Sequence, residues 1–366
     1  MRELSSVRDD GMRWMDADGP YADIVLSTRI RLARNLQEFR FGTRSDAVER
    51  RDILQRTREA AADTAVLRDG SVMVMGELSS SDRKLLLERH MVSRELVGEE
   101  GSGPVPHSAL LLADGEGLGV MVNEEDHLRL QSLVGGFRLR DAWGRVDRLD
   151  EELGTRLRYA YHPEFGYLTS CPTNVGTGLR ASVLVHLPGL VLTQEIGRVL
   201  QGIAQVGLTF RGLYGEGSEV VGNFFQISNQ TTLGKSEEEL IEHLQTVVEQ
   251  VIQYERQARA ILLRDAPTVI EDKVWRAYGL LRYAHSIGFE EMMNLLSGVR
   301  LGCGLKLLPG LRVYTLNQIM ILTQPAHLDQ MAGRTLDPNE ADIARAAYIR
   351  RTLAREGSSP EEAGSE

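Results

Sequence analysis

The segment IVLSTRIRLAR, residues 24–34, carries the pattern from which the rest of the fold follows. Apolar and polar side chains alternate along it, and in an extended chain alternate residues share a face. Arg29 and Arg31 therefore project from one face of a predicted strand, while Ile30 and Leu32 face a core. Two adjacent guanidiniums repel each other unless an anion lies between them, and a polyphosphate is such an anion. A strand whose arginines face solvent fits the same pattern, so this segment alone leaves both interpretations open.

The composition outside this segment is that of an ordinary globular chain. The 366 residues are 42% hydrophobic and 26% charged, which excludes general disorder, and at about 150 residues per domain the length suggests two or three domains. A net charge of −10 argues against nucleic-acid binding. The most apolar stretch, 183–192, is interrupted and too short to cross a membrane, and we expect no signal peptide. Two cysteines, Cys171 and Cys303, form no disulfide framework, which favours the cytoplasm.

The order of predicted elements divides the chain near residue 265. Strand patterns occur at 71–76, 110–113, 119–122, 180–187, 208–211 and 223–228. Helical spacing occurs at 46–67, 193–206 and 236–263, and Asp46 with Glu49 forms a capping box at the first of these. After residue 265 strand patterns nearly disappear. We therefore predict a mixed α+β domain over 1–264, a helical domain over 265–355 and a disordered tail over 356–366.

A second motif, GVMVNEEDHLR at 119–129, places acidic residues next to an arginine. If the strand continues through it, Asn123, Glu125, His127 and Arg129 share one face, with Glu124 and Asp126 on the other. Such a face suits a cation at one end and a phosphate at the other. An acidic turn after a strand is the commoner interpretation. Glu125 and His127 could also bind a metal, but two candidate ligands are weak evidence, and we predict no metal site.

Two further motifs are rich in glycine. In TSCPTNVGTGLR, 169–180, Cys171 precedes a loop whose backbone N–H groups could bind an anion. In RGLYGEGSE, 211–219, Glu216 stands between two glycines, as in a loop that closes over a site. A buried inert cysteine and an ordinary flexible hairpin are the respective alternatives.

Taken together, the four motifs form a sharper pattern than any of them alone. They supply five arginines and two carboxylates: Arg29, Arg31, Arg129, Arg180, Arg211, Glu125 and Glu216. Several arginines suit ATP phosphates, which need their charge neutralised during transfer. The carboxylates suit a cationic acceptor.

The motifs STRIRLARN, NEEDHLR, CPTNVGTGLRAS and RGLYGEGSE, in this order, resemble those of the ATP:guanido phosphotransferases, and most closely the bacterial protein-arginine kinases. The resemblance extends over about residues 23–351 and includes GNFFQISNQTTLGKSEEE (222–239) and ILTQPAHL (321–328). It implies an α+β fold: a guanido-kinase catalytic domain with a mainly antiparallel sheet flanked by helices, followed by an α-helical C-terminal domain.

The resemblance also implies roles for individual residues. Glu125 and Glu216 would hold and deprotonate the acceptor guanidinium, and Cys171 would lie beside its reactive nitrogen. Mg²⁺ would bridge the ATP phosphates and need few protein ligands. The implied ATP-binding residues are Ser27, Thr28, Arg29, Ile30, Arg31, His90, Arg129, Arg180, Ala181, Ser182, Val183, Leu184, Arg211, Gly212, Leu213, Tyr214, Gly215 and Glu216.

Two features favour arginine side chains of proteins as the acceptor. The family's small-substrate kinases have a longer helical domain before the arginine motif, whereas here that motif begins about 20 residues into the chain. The region after residue 265 resembles a domain that binds phosphoarginine and supports dimerisation. The pattern Arg-Asp-x-x-Arg-Ala of that domain reads Ala341-Asp342-Ile343-Ala344-Arg345-Ala346 here. Asp342 and Arg345 remain candidates for a phosphoarginine pocket, and the loss of the first arginine leaves allosteric sensing open.

By resemblance, the enzyme would mark misfolded or regulatory proteins in the stress response for a Clp protease, with an activator protein and as a possible homodimer. Two rival functions stay open. One is a kinase for free arginine or another small guanidine, and the other is a weakly catalytic adaptor that reads phosphoarginine. The sequence names no target protein and does not say whether the activator is obligatory.

Overall fold

The computed structural model describes residues 12–98, 103–113, 115, 117–212 and 221–356. The chain groups into two compact units. The first comprises Met1–Trp14, Ser27–Ser182 and Ser228–Gln245, and the second comprises Met15–Leu26, Val183–Ile227 and Thr246–Glu366. An antiparallel sheet with flanking helices and a helical C-terminal part confirm the predicted α+β class.

Ten strands are present in the described part of the chain. They are β1 Val25–Arg34, β2 Ser71–Val74, β3 Ala109–Leu112, β4 Leu118–Val122, β5 Leu128–Gly135, β6 Tyr161–His162, β7 Gly166–Tyr167, β8 Leu179–His186, β9 Leu208–Arg211 and β10 Phe224–Asn229. Eight of them pair in the order β2-β3-β4-β5-β1-β8-β10-β9, and β6 pairs with β7. The pairs β2–β3, β3–β4, β4–β5 and β5–β1 are all antiparallel.

The α-helices of the described chain lie on both sides of residue 265: those before it alternate with the strands, and those after it follow one another. They are α1 Ala47–Ala62, α2 Ser80–Glu88, α3 Arg94–Val97, α4 Leu139–Gly154, α5 Pro188–Leu192, α6 Ile196–Gln205, α7 Glu237–Asp265, α8 Pro267–Tyr283, α9 Phe289–Gly304, α10 Val313–Leu322, α11 Pro325–Ala332 and α12 Pro338–Glu356. The predicted capping box at Asp46 and Glu49 is confirmed. The single helix predicted over 193–206 is wrong at its start, because Gln194 has a φ of 62° and separates α5 from α6. Among the described helices, none has the length and apolar character needed to span a membrane.

Strand β1 confirms the alternation that the sequence predicted. Ile30 and Leu32 are fully buried, whereas Arg29 and Arg31 are only half-buried on the opposite face. Helix α4 covers the sheet with an apolar face, because its buried residues recur every three or four positions. These are Leu139, Ala142, Val146, Leu149 and Leu153.

A buried ion pair joins the end of β1 to helix α4. Arg34 Nη2 and Nε lie 2.7 and 3.0 Å from Asp150 Oδ2, and Nη1 donates to the carbonyl of Thr177 at 2.8 Å. The guanidinium also stacks over the Tyr167 ring, 3.5 Å from its centroid. The two side chains of the pair are 2% and 9% exposed, so each charge depends on the other for compensation.

We expect Asp150→Ala to lower the free energy of unfolding by about 3–5 kcal/mol, because it leaves the Arg34 charge buried without its partner. Denaturant unfolding followed by circular dichroism measures this change. Glu242→Ala is the control, since it breaks the Arg140–Glu242 pair, whose side chains are 70% and 64% exposed. That control should change the value by less than about 1 kcal/mol. Equal effects of the two substitutions would contradict the prediction.

Candidate active site

Three of the predicted phosphate-binding arginines share one face of the sheet in the first unit. In the antiparallel register of β1 and β5, Arg29 lies opposite Leu133, Arg31 opposite Gln131, and Arg129 opposite Ala33. Directly opposed residues project to the same side, and every second residue of a strand does so too. Arg29, Arg31 and Arg129 therefore project together.

The charges of these arginines act on one another. Burial, followed by the charges of Arg129 and Arg180, lowers the pKa of Arg29 to about 10. Burial and the charges of Arg29, Arg129 and Arg180 hold the pKa of Arg31 well below its usual value. Arg180 therefore belongs to the same cluster, which we call the arginine cluster (Arg29, Arg31, Arg129 and Arg180). Such a cluster favours an anion, because an anion relieves the repulsion between its members.

Arg31 offers the clearest vacant donor of the cluster. Its Nε is buried and has no hydrogen-bond partner within the described ranges. A buried donor without a partner is unfavourable, and a phosphate oxygen would satisfy it. The arginine cluster thus fits the phosphates of a nucleotide.

Arg129 of the cluster contacts two carboxylates. Its Nη1 forms a short ion pair with Glu124 Oε1, and its Nη2 lies 3.3 Å from Glu125 Oε2. Burial alone would lower the pKa of Arg129, but Glu124, Glu125 and other nearby carboxylates raise it above its usual value. Ser93 Oγ donates to Glu124 Oε1 at 2.6 Å, and the Glu124 side chain is fully buried. Arg129 therefore marks the border between a cationic and an anionic side of the site.

Of the two interpretations of residues 119–129, the structure bears out the acidic turn and not a continuous strand. Strand β4 ends at Val122, and residues 123–127 form a turn that begins at Asn123 with a φ of 56°. Asn123 fixes this turn, because its side-chain amide donates to the carbonyls of Arg50 and His107 at 2.9 Å each. In the turn, Glu124 and Glu125 both reach Arg129, although strict alternation would have put them on opposite faces.

His127 has a positional role in this turn. Its Nδ1 accepts a hydrogen bond from the Leu36 backbone N–H at 3.0 Å, so Nε2 carries the proton and faces the Arg40 carbonyl oxygen at 2.9 Å. Burial lowers the pKa of the ring. Both nitrogens are engaged by the backbone, which leaves none for a metal. Throughout the described ranges there is no group of three or more potential metal ligands.

Asp126 brings the turn together with the loop that carries Cys171. Its Oδ1 accepts hydrogen bonds of 2.6 Å from the Ser170 backbone N–H and from Asn35 Nδ2. A Cβ on Gly42 would lie 3.1 Å from Ser170 Oγ and 3.3 Å from the Glu125 carbonyl oxygen, so both segments meet beside Gly42. The Cys171 thiol is half-buried, with its Sγ 3.0 Å from Thr173 Oγ1.

Glu125 stands on this anionic side with a side chain that is 39% exposed. Its pKa is raised, first by burial and then by the negative charges of Asp126, Glu124 and Glu95, while Arg129 opposes the shift. A carboxylate with a raised pKa is a better proton acceptor than an ordinary glutamate. The site therefore places a potential base at the border of the arginine cluster.

His90 lies next to the arginine cluster, and its contact with a nucleotide stays a prediction. Burial and the charge of Arg29 lower its pKa to about 3, so the ring is neutral at physiological pH. Its carbonyl accepts a 2.9 Å hydrogen bond from Gln131, the residue opposite Arg31 on β5. The His90 ring packs edge-on against Trp14, with centroids 5.6 Å apart.

Several other candidates use their side chains inside the protein. Thr28 Oγ1 donates to the Gly136 carbonyl at 2.6 Å and accepts from the Arg138 N–H at 3.1 Å. Ser182 Oγ donates to the Arg29 carbonyl at 3.4 Å. The predicted ATP-binding residues include two continuous segments, 27–31 and 180–184. Their remaining side chains other than the arginines are buried: Ser27, Ile30, Ala181, Val183 and Leu184. These residues position the arginines, and their own contact with a nucleotide stays a prediction.

The last predicted residues lie elsewhere in the chain. Arg211 ends β9 in the second unit and Gly212 follows it, whereas Leu213, Tyr214, Gly215 and Glu216 fall outside the described residues. Arg345 on α12 is 3% exposed. It donates to the carbonyls of Thr323 and Ile287 at 3.0 and 2.9 Å, and its Nη1 lies 2.5 Å from Asp342 Oδ1. Arg345 thus connects three segments of the helical region through hydrogen bonds. A phosphoarginine pocket at Asp342 and Arg345 stays a prediction.

Sequence reasoning missed Glu124, Asp126 and Gln131 as parts of the site. Glu124 and Asp126 stand inside the NEEDHLR motif, but the assumed strand turned both away from Glu125. Gln131 follows Arg129 by two residues, so alternation along β5 could have placed it on the same face.

Two consecutive parts of the chain each match a known protein family. Residues 52–258 match the ATP:guanido phosphotransferase C-terminal catalytic domain, and residues 267–364 match the protein-arginine kinase McsB C-terminal domain. The fold agrees with this class. A duplicated taurocyamine kinase from Schistosoma mansoni has a TM-score of 0.59 at 26% identity over 66% of this chain, which spans only 34% of that protein. A lombricine kinase has a TM-score of 0.58 at 25% identity, over 67% of this chain and 71% of the kinase.

The relatives narrow the class further. A protein-arginine kinase from Bacillus cereus is 45% identical over 94% of this chain and 96% of its own length. One from Symbiobacterium thermophilum is 46% identical over 93% and 96%, respectively. The chain belongs to the protein-arginine kinase family of ATP:guanido phosphotransferases.

We expect Arg29→Ala to weaken MgATP binding by about 10- to 100-fold, because one charge-assisted contact with phosphate is lost. Isothermal titration calorimetry measures the Kd. Arg140→Ala, which removes an exposed arginine of α4, is the matched control and should leave the Kd within twofold. Unchanged binding by the Arg29 variant would remove this arginine from the nucleotide site.

Proposed function

We propose that this enzyme transfers the γ-phosphoryl group of ATP to arginine side chains in proteins. The observation that carries the proposal is the border at Arg129. The arginine cluster suits ATP phosphates on one side, and Glu125 with the Cys171 loop suits a cationic acceptor on the other. Family membership and relatives named protein-arginine kinase support it.

The chemistry requires that a guanidinium lose a proton before it can attack phosphorus. The guanidinium pKa lies above about 12, so the charged group is not a nucleophile. Glu125 hydrogen-bonds the planar group, and Glu125 or Glu216 accepts the proton as the guanidine nitrogen forms its bond to the γ-phosphorus. The bond from the γ-phosphorus to the bridging oxygen breaks, and ADP leaves. The Cys171 side chain would lie beside the reactive nitrogen.

The arginine cluster stabilises the charge that spreads over the phosphoryl oxygens during transfer. Arg29 and Arg31 are fixed on a strand, so their donors need no reorganisation during the reaction. Two points support the fit to MgATP. The buried Arg31 Nε has no hydrogen-bond partner among the described residues and can donate to a phosphate oxygen. The phosphates themselves would be the main ligands of Mg²⁺. Mg²⁺ bound to ATP would neutralise part of the phosphate charge and would need few protein ligands.

The biological setting belongs to the proposal as well. The match of residues 267–364 to the C-terminal domain of protein-arginine kinase McsB supports a phosphoarginine-binding and dimer-forming role for this region. We propose that the enzyme acts in the cytoplasm in protein quality control. There it would phosphorylate misfolded proteins or a heat-shock repressor, work with an activator protein and supply a Clp protease with substrates.

A paired transfer assay with MgATP tests the proposed acceptor. One reaction contains free L-arginine and the other an unfolded, arginine-rich protein, and products are analysed without acid. We expect phosphoramidate on the protein alone. Transfer only to free arginine would establish a small-guanidine kinase instead. Absence of transfer together with phosphoarginine binding would favour the adaptor.

Two substitutions test the roles at the acceptor side. We expect Glu125→Ala to lower kcat by at least about 100-fold, because the acceptor loses a partner that orients and deprotonates it. MgATP binding, measured by calorimetry, should survive. Cys171→Ser should slow turnover about tenfold, because the sulfur atom beside the reactive nitrogen is lost. An equal loss of ATP binding in Glu125→Ala would show that Glu125 belongs to the nucleotide side, and full activity of Cys171→Ser would make the thiol structural.

The raised pKa of Glu125 predicts the direction of a pH effect. Transfer needs the carboxylate, so activity rises with pH as Glu125 loses its proton, at a higher pH than for an ordinary glutamate. Glu124→Gln removes a neighbouring negative charge, which lowers the pKa of Glu125 and moves this rise to lower pH. Initial rates of ADP release between pH 5 and about 8 measure it. A shift to higher pH would contradict the assignment of Glu125.

A further inference from the structure

A short hairpin precedes the Cys171 loop and carries aromatic side chains on the surface of the first unit. Strand β6 pairs with β7 so that Tyr161 lies opposite Tyr167, and residues 163–165 form the tip. We call residues 161–167 the aromatic hairpin. Tyr161 is 59% exposed and Phe165 is 48% exposed. Single exposed apolar residues are common on protein surfaces, but large rings grouped on one short element offer a surface for contact.

Contacts between side chains hold the aromatic hairpin in one shape. The guanidinium carbon of Arg34 lies 3.5 Å from the centroid of the Tyr167 ring, and the Tyr161 ring packs edge-on against Tyr167 with centroids 5.3 Å apart. The His162 and Phe165 rings stack with centroids 4.9 Å apart. A hairpin of two-residue strands is only marginally stable by itself, so these contacts fix where the exposed rings lie.

The aromatic hairpin is bonded directly to the loop that carries Cys171. The Tyr167 N–H donates to the Gly176 carbonyl at 2.7 Å, and the Gly176 N–H donates to the Tyr167 carbonyl at 3.2 Å. A Cβ on Gly166, whose φ is 72°, would lie 2.5 Å from the Gly176 carbonyl oxygen, so this close approach requires glycine. At about 3.3–3.6 Å per residue, Phe165 lies no more than about 22 Å from Cys171, a distance that about six residues of an extended acceptor chain cover.

The surface next to the aromatic hairpin is negatively charged. Carboxylates of α4 and of the first turn of α7 meet there: Asp147, Glu151, Glu237 and Glu238. Burial raises the pKa of Asp147, and the negative charges of the other three and of Asp150 raise it further. Burial likewise raises the pKa of Tyr167, and Asp150 and Glu237 add to that shift, so this surface adjoins β7. It is complementary to a polypeptide that carries arginines, because guanidiniums pair with carboxylates and stack on aromatic rings.

We propose that the aromatic hairpin binds the unfolded polypeptide next to the target arginine. This rests on the proposed function, in which the target arginine reaches Glu125 with its chain attached. The flanking residues of such a chain then pass the Cys171 loop, and their large apolar side chains contact Tyr161 and Phe165. Folded proteins keep most of their large apolar side chains inside, so this surface favours unfolded acceptors over folded ones.

Three acceptors that share one central arginine test the proposal. The first is a blocked tripeptide whose flanking glycines offer the aromatic hairpin no side chain. The other two are unstructured peptides of about 15 residues, one with phenylalanine and leucine flanks and one with glycine and serine flanks. For the parent enzyme we expect the KM of the apolar-flanked peptide to be about tenfold lower than that of the other two. The Kd from fluorescence anisotropy of labelled peptides should show the same preference.

Substitutions at Phe165 assign this preference to the aromatic hairpin. Phe165→Ser should remove it, whereas Phe165→Leu, which keeps a large apolar side chain, should retain most of it. The kcat at saturating peptide and the Tm should stay unchanged, because the side chain is exposed and lies outside the reacting groups. Val48→Ala, an exposed change on α1, is the control and should keep the parent KM for all three acceptors.

The outcomes separate the proposal from the function on which it rests. Equal KM values for the two long peptides in the parent enzyme, or an unchanged preference in Phe165→Ser, would overturn the proposal while the proposed function stands. An equal rise in KM for all three acceptors in Phe165→Ser would also overturn it, because the aromatic hairpin would then only shape the Cys171 loop. If the parent enzyme phosphorylates free L-arginine but neither long peptide, the proposed function fails, and the proposal with it.

Discussion

The mutual repulsion of half-buried guanidiniums is the constraint on which the site depends. Arg29, Arg31 and Arg129 project from adjacent strands. Burial and the charges of neighbouring arginines lower the pKa values of the first two. The opposite face of β1 holds them there, because Ile30 and Leu32 are fully buried in the core. Apolar burial thus stabilises an arrangement that electrostatics alone opposes. A polyanion is the natural complement of such an arrangement.

Arg129 separates the cationic side of the site from the anionic side. It belongs to the arginine cluster, yet Glu124 and Glu125 raise its pKa. The tight turn over residues 123–127 makes the double contact geometrically feasible. Through Asp126 the same turn reaches the Ser170 backbone, and so the Cys171 loop. One short segment therefore holds a cationic side and an anionic side next to each other.

Local sequence patterns predicted the strands, helices and arginine positions well. They could not predict the features that depend on contacts between residues far apart in the sequence. Alternation alone predicted the faces of β1, and the spacing of Asp46 and Glu49 predicted the start of α1. The turn at 123–127 depends on Asn123, whose amide binds carbonyls from distant segments, and no local pattern shows such contacts. The Arg34–Asp150 pair and the contact of Asp126 with Ser170 likewise join residues far apart in sequence. Glu216, outside the described residues, still rests on the sequence and the family resemblance.

The central place of β1 has a consequence for synthesis of the chain. This strand is made before its neighbours β5 and β8, and the Ser182–Arg29 contact spans 153 residues. At ~5–20 residues per second, the ribosome needs roughly 8 to 30 s to complete that span. An apolar strand left without neighbours for so long invites pairing with other nascent chains, and charged side chains discourage it. The charges of Arg29 and Arg31 therefore oppose such pairing during the interval before β5 and β8 are made.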